Sequence, residues 1–150
     1  MIYYFSGTGN SLYVAEHLAD ALGEKLCPMT SPVPTDDSVI GLVFPVYAWG
    51  IPNVVERFVR KHRASCLGGN ADNGCYLYAV MTCGDDMGYA DKVLEKELGR
   101  ELDAAFSVLM PDVYICLPGF DVDSEEECRE KFTMEKETVK DIVACVSERN

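Results

Sequence analysis

One six-residue stretch near the start of the chain constrains the fold more than any other. It reads Ser6-Gly7-Thr8-Gly9-Asn10-Ser11. The run before it, residues 2–5, is short, apolar and aromatic, which is typical of a buried strand. The residues after it place apolar side chains at helical spacing, from Leu12 to Leu22. The chain is therefore predicted to begin with a strand, a tight polar turn and a helix.

The composition of this turn predicts a phosphate-binding site. Its two glycines let the backbone bend so that successive N–H groups point into one concavity. The N-terminus of the following helix adds positive potential, and the hydroxyls of Ser6, Thr8 and Ser11 add donors. Because the turn holds no basic residue, hydrogen bonds rather than a countercharge would hold the phosphate.

Further strands are predicted where apolar and β-branched residues run together. They cover residues 24–27, 39–44, 75–81 and 102–110. Three prolines between residues 28 and 38 predict a crossover loop with at most one helical turn. Turn signals at 68–70 and 73–74 predict a surface loop over residues 64–74.

Helices are predicted between these strands from apolar spacing and from start and stop signals. Gly23 ends the first helix, and Pro52 is placed at the first position of the second, which ends near His62. The third helix is bounded by Asp85 or Asp86 as cap and by Gly99, with buried residues predicted at Ala90, Val93, Leu94 and Leu98. Ser124 and Glu127 form a capping box for the last helix, whose predicted buried stripe is Phe132, Val139, Ile142, Val143 and Val146.

This alternation of strands and helices predicts an α/β fold with a parallel sheet covered by helices on both faces. In such sheets, ligands bind outside the carboxyl ends of the strands. Two more loops of unusual composition follow predicted strands there. Their candidate binding residues are Pro45, Val46, Tyr47, Ala48, Trp49 and Gly50 in one loop, and Thr82, Cys83, Gly84, Asp85 and Tyr89 in the other.

The first turn resembles the phosphate-binding loop of the flavodoxin family, Ser/Thr-x-Thr-Gly-x-Ser/Thr, at every fixed position. The stretch from Pro45 to Pro52 is similar to the flavodoxin-like domains of flavodoxin–ferredoxin fusion proteins. The resemblance covers nearly the whole chain. It implies one FMN-binding domain over residues 1–150, a three-layer αβα sandwich with a five-stranded parallel sheet of order 2-1-3-4-5. Flavodoxins are themselves a standard example of ligand binding where strand order reverses.

The resemblance also implies roles for the candidate residues. Residues 6–11 would bind the FMN phosphate. Tyr47 and Trp49 would cover the isoalloxazine ring; the sequence does not assign either aromatic side chain to a particular face of the ring. Residues 82–85 would offer backbone contacts to the pyrimidine edge of the ring, although Asp85 and Asp86 are equally well explained as helix caps. Gly50 marks a peptide that could flip to accept a hydrogen bond from the reduced flavin. The loop from Pro111 to Phe120 is either a cover for the flavin, a partner surface or an ordinary connection.

Charge and cysteine content limit the partners. The net charge of −12 argues against nucleic acid and against acidic membrane surfaces, and favours a basic redox protein such as a ferredoxin or a reductase. The apolar runs are too short to span a bilayer, and no secretory signal is visible, so a cytoplasmic monomer or weak dimer is expected. The seven cysteines include no C-x-x-C pair, which argues against iron–sulfur and zinc sites.

The resemblance implies a protein that carries electrons between redox partners, and the sequence argues against several other functions. Leu12 occupies the position of the third glycine of a dinucleotide-binding motif, and the Gly-Lys-Ser/Thr of a P-loop is absent. Neither His17 nor His62 belongs to a catalytic or metal-ligating pattern. Two alternatives remain open, namely an FMN-dependent NAD(P)H or quinone oxidoreductase and a regulatory or scaffold domain without flavin.

Overall fold

Strands and helices alternate along the chain in the computed structural model, which describes residues 1–65, 67, 75–116 and 121–149. The strands are β1 (Ile2–Tyr4), β2 (Leu26–Pro28), β3 (Val39–Pro45), β4 (Tyr76–Cys83) and β5 (Ala104–Leu109). The helices are α1 (Asn10–Leu22), α2 (Asn53–His62), α3 (Ala90–Leu98) and α4 (Glu125–Glu148).

The strands form one parallel sheet of order β2-β1-β3-β4-β5. Helices α1 and α4 pack on one face of it, and α2 and α3 pack on the other. Each face of the sheet has its own hydrophobic core, and alternate residues of the central strands point into one or the other. Leu42 and Phe44 of β3 face α2 and α3, whereas Val43 faces α1 and α4. The predicted αβα sandwich and its strand order are confirmed.

One glycine inside β3 permits a close approach between neighbouring strands. A methyl group on Gly41 would lie 2.5 Å from the Tyr78 hydroxyl oxygen. The Tyr78 ring is fully buried, so it has no room to move aside. This contact explains a glycine at a position where glycine otherwise weakens a strand.

Three strands end later than the sequence predicts. β3 runs one residue further, through Pro45. β2 continues through Pro28, which pairs with Tyr4. Proline is tolerated there because β2 is an edge strand and the N–H of the next residue, Met29, is the one that bonds to β1. Thr82 and Cys83, predicted to lie in a turn, are the last residues of β4 and pair with β5. Residues 29–38, all described, form no helix.

The helix boundaries test the predicted caps. Gly23 (φ 67°) and Gly99 (φ 75°) end α1 and α3 in the left-handed conformation, and the Ser124–Glu127 capping box is present. Pro52 caps α2 rather than occupying its first turn. The predicted cap of α3 by Asp85 or Asp86 is wrong. Tyr89 stands at that position without a side-chain cap, because the Asp86 carboxylate accepts a hydrogen bond from the Gly88 N–H instead.

A buried acid joins α4 to α1. The sequence predicted a purely apolar stripe on α4, but Glu135 lies on it and is fully buried. Its carboxylate oxygens lie 2.9 and 3.2 Å from His17 Nδ1. Phe132 and Val143 are only partly buried, and on α3 the predicted core residue Val93 is exposed. The hydrogen-bonded pair of Glu135 and His17 thus links the two helices beside their apolar contacts.

Some expectations fall on residues that the structure leaves undescribed. The turn signals at 68–70 and 73–74 and the end of the predicted loop, residues 117–120, lie outside the described residues. Among the helices of the described residues, none combines the length and apolar character needed to span a bilayer.

Candidate functional site

The predicted phosphate loop lies between β1 and α1. Gly9 adopts φ 105° and caps α1 without a side-chain hydrogen bond, and its N–H donates to Ser6 Oγ at 3.1 Å. No acidic residue stands in the first turn of α1. Thr8 is exposed beside it. The positive end of a 13-residue helix is thus open to a negatively charged group.

The last two residues of this loop bond to other parts of the protein. The Ser11 and Thr82 hydroxyls are buried and lie 2.7 Å apart. The Asn10 side-chain amide donates to the Pro111 carbonyl at 2.9 Å. These two contacts join the loop after β1 to the end of β4 and to the loop after β5. The structure thus brings three of the predicted segments to one edge of the sheet.

The loop after β3 is a tight two-residue turn. The Tyr47 and Gly50 backbones exchange both hydrogen bonds, at 3.1 and 3.0 Å. The two residues between them have positive φ, 49° at Ala48 and 59° at Trp49. A type I′ turn needs such angles and usually takes Asn or Gly there. For alanine and tryptophan the left-handed conformation costs about 1–2 kcal/mol each, and such strain concentrates at functional sites.

This turn presents two aromatic side chains to solvent. Tyr47 is 49% exposed and Trp49 is 68% exposed, so neither belongs to the core. A Cβ on Gly7 would collide with the Tyr47 hydroxyl, and a Cβ on Gly88 would lie 2.7 Å from Trp49 Cδ1. Tyr47 therefore lies against the loop after β1, and Trp49 lies against the loop after β4.

Gly50 uses both of its backbone polar groups in this turn. Its N–H donates to the Tyr47 carbonyl, and its carbonyl accepts from the Tyr47 N–H. A flip of the Trp49–Gly50 peptide would break the first of these bonds. The predicted flip stays a prediction, and the structure shows which hydrogen bond it would break.

Comparison with known proteins assigns the sequence to a family. The sequence profile of the flavodoxin domain matches residues 1–115. The chain belongs to the flavodoxin family. No curated protein sequence matches it at a significant level.

Solved flavodoxins share its fold. The flavodoxin of Megasphaera elsdenii in its two-electron reduced form superposes with a TM-score of 0.57 at 19% identity, covering 93% of this chain and 97% of that one. A flavodoxin from the domain Archaea gives a TM-score of 0.59 at 14% identity, covering 97% and 96%. Rubredoxin oxygen:oxidoreductase from Desulfovibrio gigas gives 0.52 at 15% identity, covering 99% of this chain but 36% of that one. At these identities the likeness concerns the fold.

In this flavodoxin-family chain the loop after β4 is acidic and exposed. Asp85 and Asp86 are exposed, Gly84 is half-buried, and Tyr89 is 77% exposed. Pro45 and Val46 are half-buried at the end of β3, where the Val46 N–H donates to the Thr82 carbonyl. On the neighbouring loop Val113, Tyr114 and Ile115 also face solvent.

Cys83 lies beneath this loop as a buried thiol. Burial, followed by the charges of Asp86 and Asp85, raises the pKa of Cys83 to about 11. The thiol is therefore protonated at neutral pH. Cys116, in the loop after β5, is exposed.

We expect iodoacetamide at pH 8 to modify Cys116 well before Cys83 in the native protein, because alkylation requires an accessible thiolate. Peptide mass spectrometry after timed quenching measures both rates in one sample. Labelling in urea provides the control, in which both cysteines should react. Similar rates for the two cysteines in the native protein would contradict the burial of Cys83.

The sequence did not reveal the contacts that hold the loop after β4. Lys131 of α4 donates to the Gly84 carbonyl at 2.8 Å and to Asp123 Oδ2 at 2.6 Å. A methyl group on Gly84 would lie 3.1 Å from Asp112 Cγ. These partners are far apart in the sequence, and no local pattern connects them.

Proposed function

We propose that residues 1–150 form one FMN-binding domain that carries electrons between redox proteins. One observation carries this proposal. The N-terminus of α1, which has no side-chain cap, lies with the exposed Thr8 at the same edge of the sheet as the exposed rings of Tyr47 and Trp49. An anion site beside flat apolar surface suits a ligand with a phosphate and an aromatic ring.

The residues present fit FMN. Residues 6–10 would surround the phosphate with N–H and O–H donors, while Ser11, bonded to Thr82, would support the loop from beneath. Tyr47 and Trp49 would cover the ring and exclude water. When bound, FMN supplies one-electron and two-electron transfer at its isoalloxazine ring.

The loop after β4 would set the electrostatics of the ring. Its exposed carboxylates, Asp85 and Asp86, disfavour negative charge placed beside them. They would therefore keep the reduction potential low for a transfer that leaves the ring anionic. The backbone N–H groups of Gly84 and Asp85 would offer donors to the polar edge, whereas Cys83 is paired with β5.

The charge of the chain suits a basic partner. With a net charge of −12, it would attract a redox protein with a positive docking surface, such as a ferredoxin or a reductase. We place this exchange in the cytoplasm, with the domain acting as a monomer or weak dimer. The similarity of residues 45–52 to flavodoxin–ferredoxin fusion proteins supports a ferredoxin as the partner.

Titration of the purified protein with FMN tests the proposal. We expect saturable binding, seen as quenched flavin fluorescence and shifted visible bands. A protein that leaves FMN unchanged would overturn the proposal and favour the regulatory or scaffold alternative. Stopped-flow mixing of the loaded protein with NADH or NADPH then separates the remaining classes. Slow reduction fits a carrier, and fast unassisted reduction would make it an oxidoreductase.

A further inference from the structure

Lys131 connects two loops at the candidate site, the one after β4 and the one between β5 and α4. It projects from α4 and is only 19% exposed in its side chain. Its ammonium group donates to the Gly84 carbonyl in the loop after β4 and to Asp123 just before α4. Asp123 Oδ2 also accepts the Asp112 N–H, at 2.8 Å, from the loop after β5. One cation therefore links the loop after β4 to Asp123, and through Asp123 to the start of the loop after β5.

The acidic residues connected to the Lys131 ammonium, Asp123 and Asp112, both have hydrogen-bond partners. Burial opposes ionisation of Asp123, but the hydrogen bonds from Lys131 and the Asp112 N–H outweigh it and lower the pKa of Asp123. Asp112 in turn accepts the Tyr114 N–H at 2.9 Å. The hydrogen bonds of Lys131 to Gly84 and Asp123, which we call the anchor, thus belong to a connected set of charge-assisted hydrogen bonds rather than to an isolated surface pair.

The bond to Gly84 fixes the direction of one peptide group. In a trans peptide the C=O and the following N–H point in opposite directions, and the structure contains no cis peptide among its described residues. The Gly84 carbonyl points to Lys131, on the β5 and α4 side of the loop. The N–H of Asp85 therefore points away from that side.

We infer that Lys131 is a positioning residue, which orients the Gly84–Asp85 peptide so that the Asp85 N–H faces the polar edge of the bound flavin. This inference rests on the proposed function. Lys131 itself need not touch the flavin. Its effect reaches the ring through Gly84, and so it should act on any ligand that carries the isoalloxazine ring.

The test compares FMN with riboflavin, which has the same ring and lacks the phosphate. We expect Lys131→Met to weaken both by the same factor, about tenfold, which is the size of the loss when a residue that orients a metal ligand is removed. Lys140→Met is the matched control, because it removes a lysine from the same helix whose ion pair with Glu137 is exposed. It should leave both affinities unchanged.

Two further measurements keep the test sharp. In the flavin-free protein, the carbonyl ¹³C resonance of Gly84 should shift in Lys131→Met and not in Lys140→Met, which reads the anchor without any ligand. Asp123→Asn retains Lys131 but weakens its anchor, so it should reduce both flavin affinities by a smaller factor. It also serves if Lys131→Met does not fold.

The outcomes separate this inference from the proposed function. Unchanged affinities in Lys131→Met, with wild type binding FMN, would overturn the inference alone. A loss confined to FMN would also overturn it, because long-range attraction between the ammonium and the phosphate would then explain the effect. If wild type binds neither flavin, the proposed function fails and this inference fails with it.

Discussion

Replacing His17 with alanine is expected to lower the free energy of unfolding by about 2–4 kcal/mol, the largest effect on stability that we predict. Glu135 is fully buried, and His17 Nδ1 is its hydrogen-bond partner among the described residues. Without that donor, the carboxylate is left buried and unpaired, which costs far more than the pair contributes. The expected loss of unfolding free energy is smaller than for a wholly buried pair, because the His17 side chain is 34% exposed.

Urea unfolding monitored by circular dichroism at neutral pH measures this change. His17→Asn is the matched variant, because its side-chain amide keeps a donor close to the position of Nδ1, and it should lose much less stability. The double variant His17→Ala/Glu135→Leu removes both polar groups and should recover most of the loss. Helix α1 gains slightly from alanine, by roughly 0.5 kcal/mol. This gain cancels when the double variant is compared with His17→Ala, because both carry alanine at position 17. Equal losses in His17→Ala and His17→Asn would refute the explanation.

The same residues show where sequence reasoning stops. Position 135 continues the spacing of the apolar stripe on α4, and the local pattern gives no sign that an acid could be buried there. Its partner lies 118 residues away on α1. Burial of a charge is decided by such a long-range partner, so a single sequence cannot reveal it.

The layers of the fold follow from local patterns, because apolar periodicity reports burial wherever a segment lies in the chain. The strand order does not, and the correct order was implied by the resemblance to flavodoxins. Boundaries depend on pairing as well. The small and polar residues Thr82 and Cys83 predict a turn, yet β5 pairs with both of them and β3 pairs with Thr82, which extends β4. Pro28 predicts the end of a strand, but an edge strand accepts it.

The candidate site divides in a similar way. The three loops could be located from composition and from their positions after strands. The role of each hydroxyl could not be predicted in this way, because the Ser11 hydroxyl is hydrogen-bonded to Thr82, 71 residues away. The anchor from Lys131 to Gly84 spans 47 residues and likewise leaves no local trace.

For ligand binding, the largest expected loss comes from Thr8→Ala. Of the three hydroxyls in the phosphate loop, that of Ser11 is buried against Thr82, and that of Ser6 accepts the Gly9 N–H. Thr8 is exposed, and within the described part of the chain its hydroxyl has no protein partner. It is therefore the hydroxyl best placed to donate to a phosphate dianion.

Loss of a hydrogen bond to a charged group costs about 1.5–3 kcal/mol, so the dissociation constant for FMN should rise roughly 10- to 150-fold in Thr8→Ala. Fluorescence titration measures it. Riboflavin provides the internal control, because without a phosphate it should bind wild type and Thr8→Ala equally well. Thr8→Ser retains the hydroxyl and should keep most of the FMN affinity.

The two flavins together separate the two halves of the site. Thr8→Ala should act on FMN alone, whereas Lys131→Met should act on FMN and riboflavin alike. Because Thr8 is exposed, its replacement should leave the unfolding free energy of the flavin-free protein within about 0.5 kcal/mol of wild type. An FMN affinity that does not change in Thr8→Ala, or a riboflavin affinity that falls with it, would show that the phosphate does not bind at the N-terminus of α1.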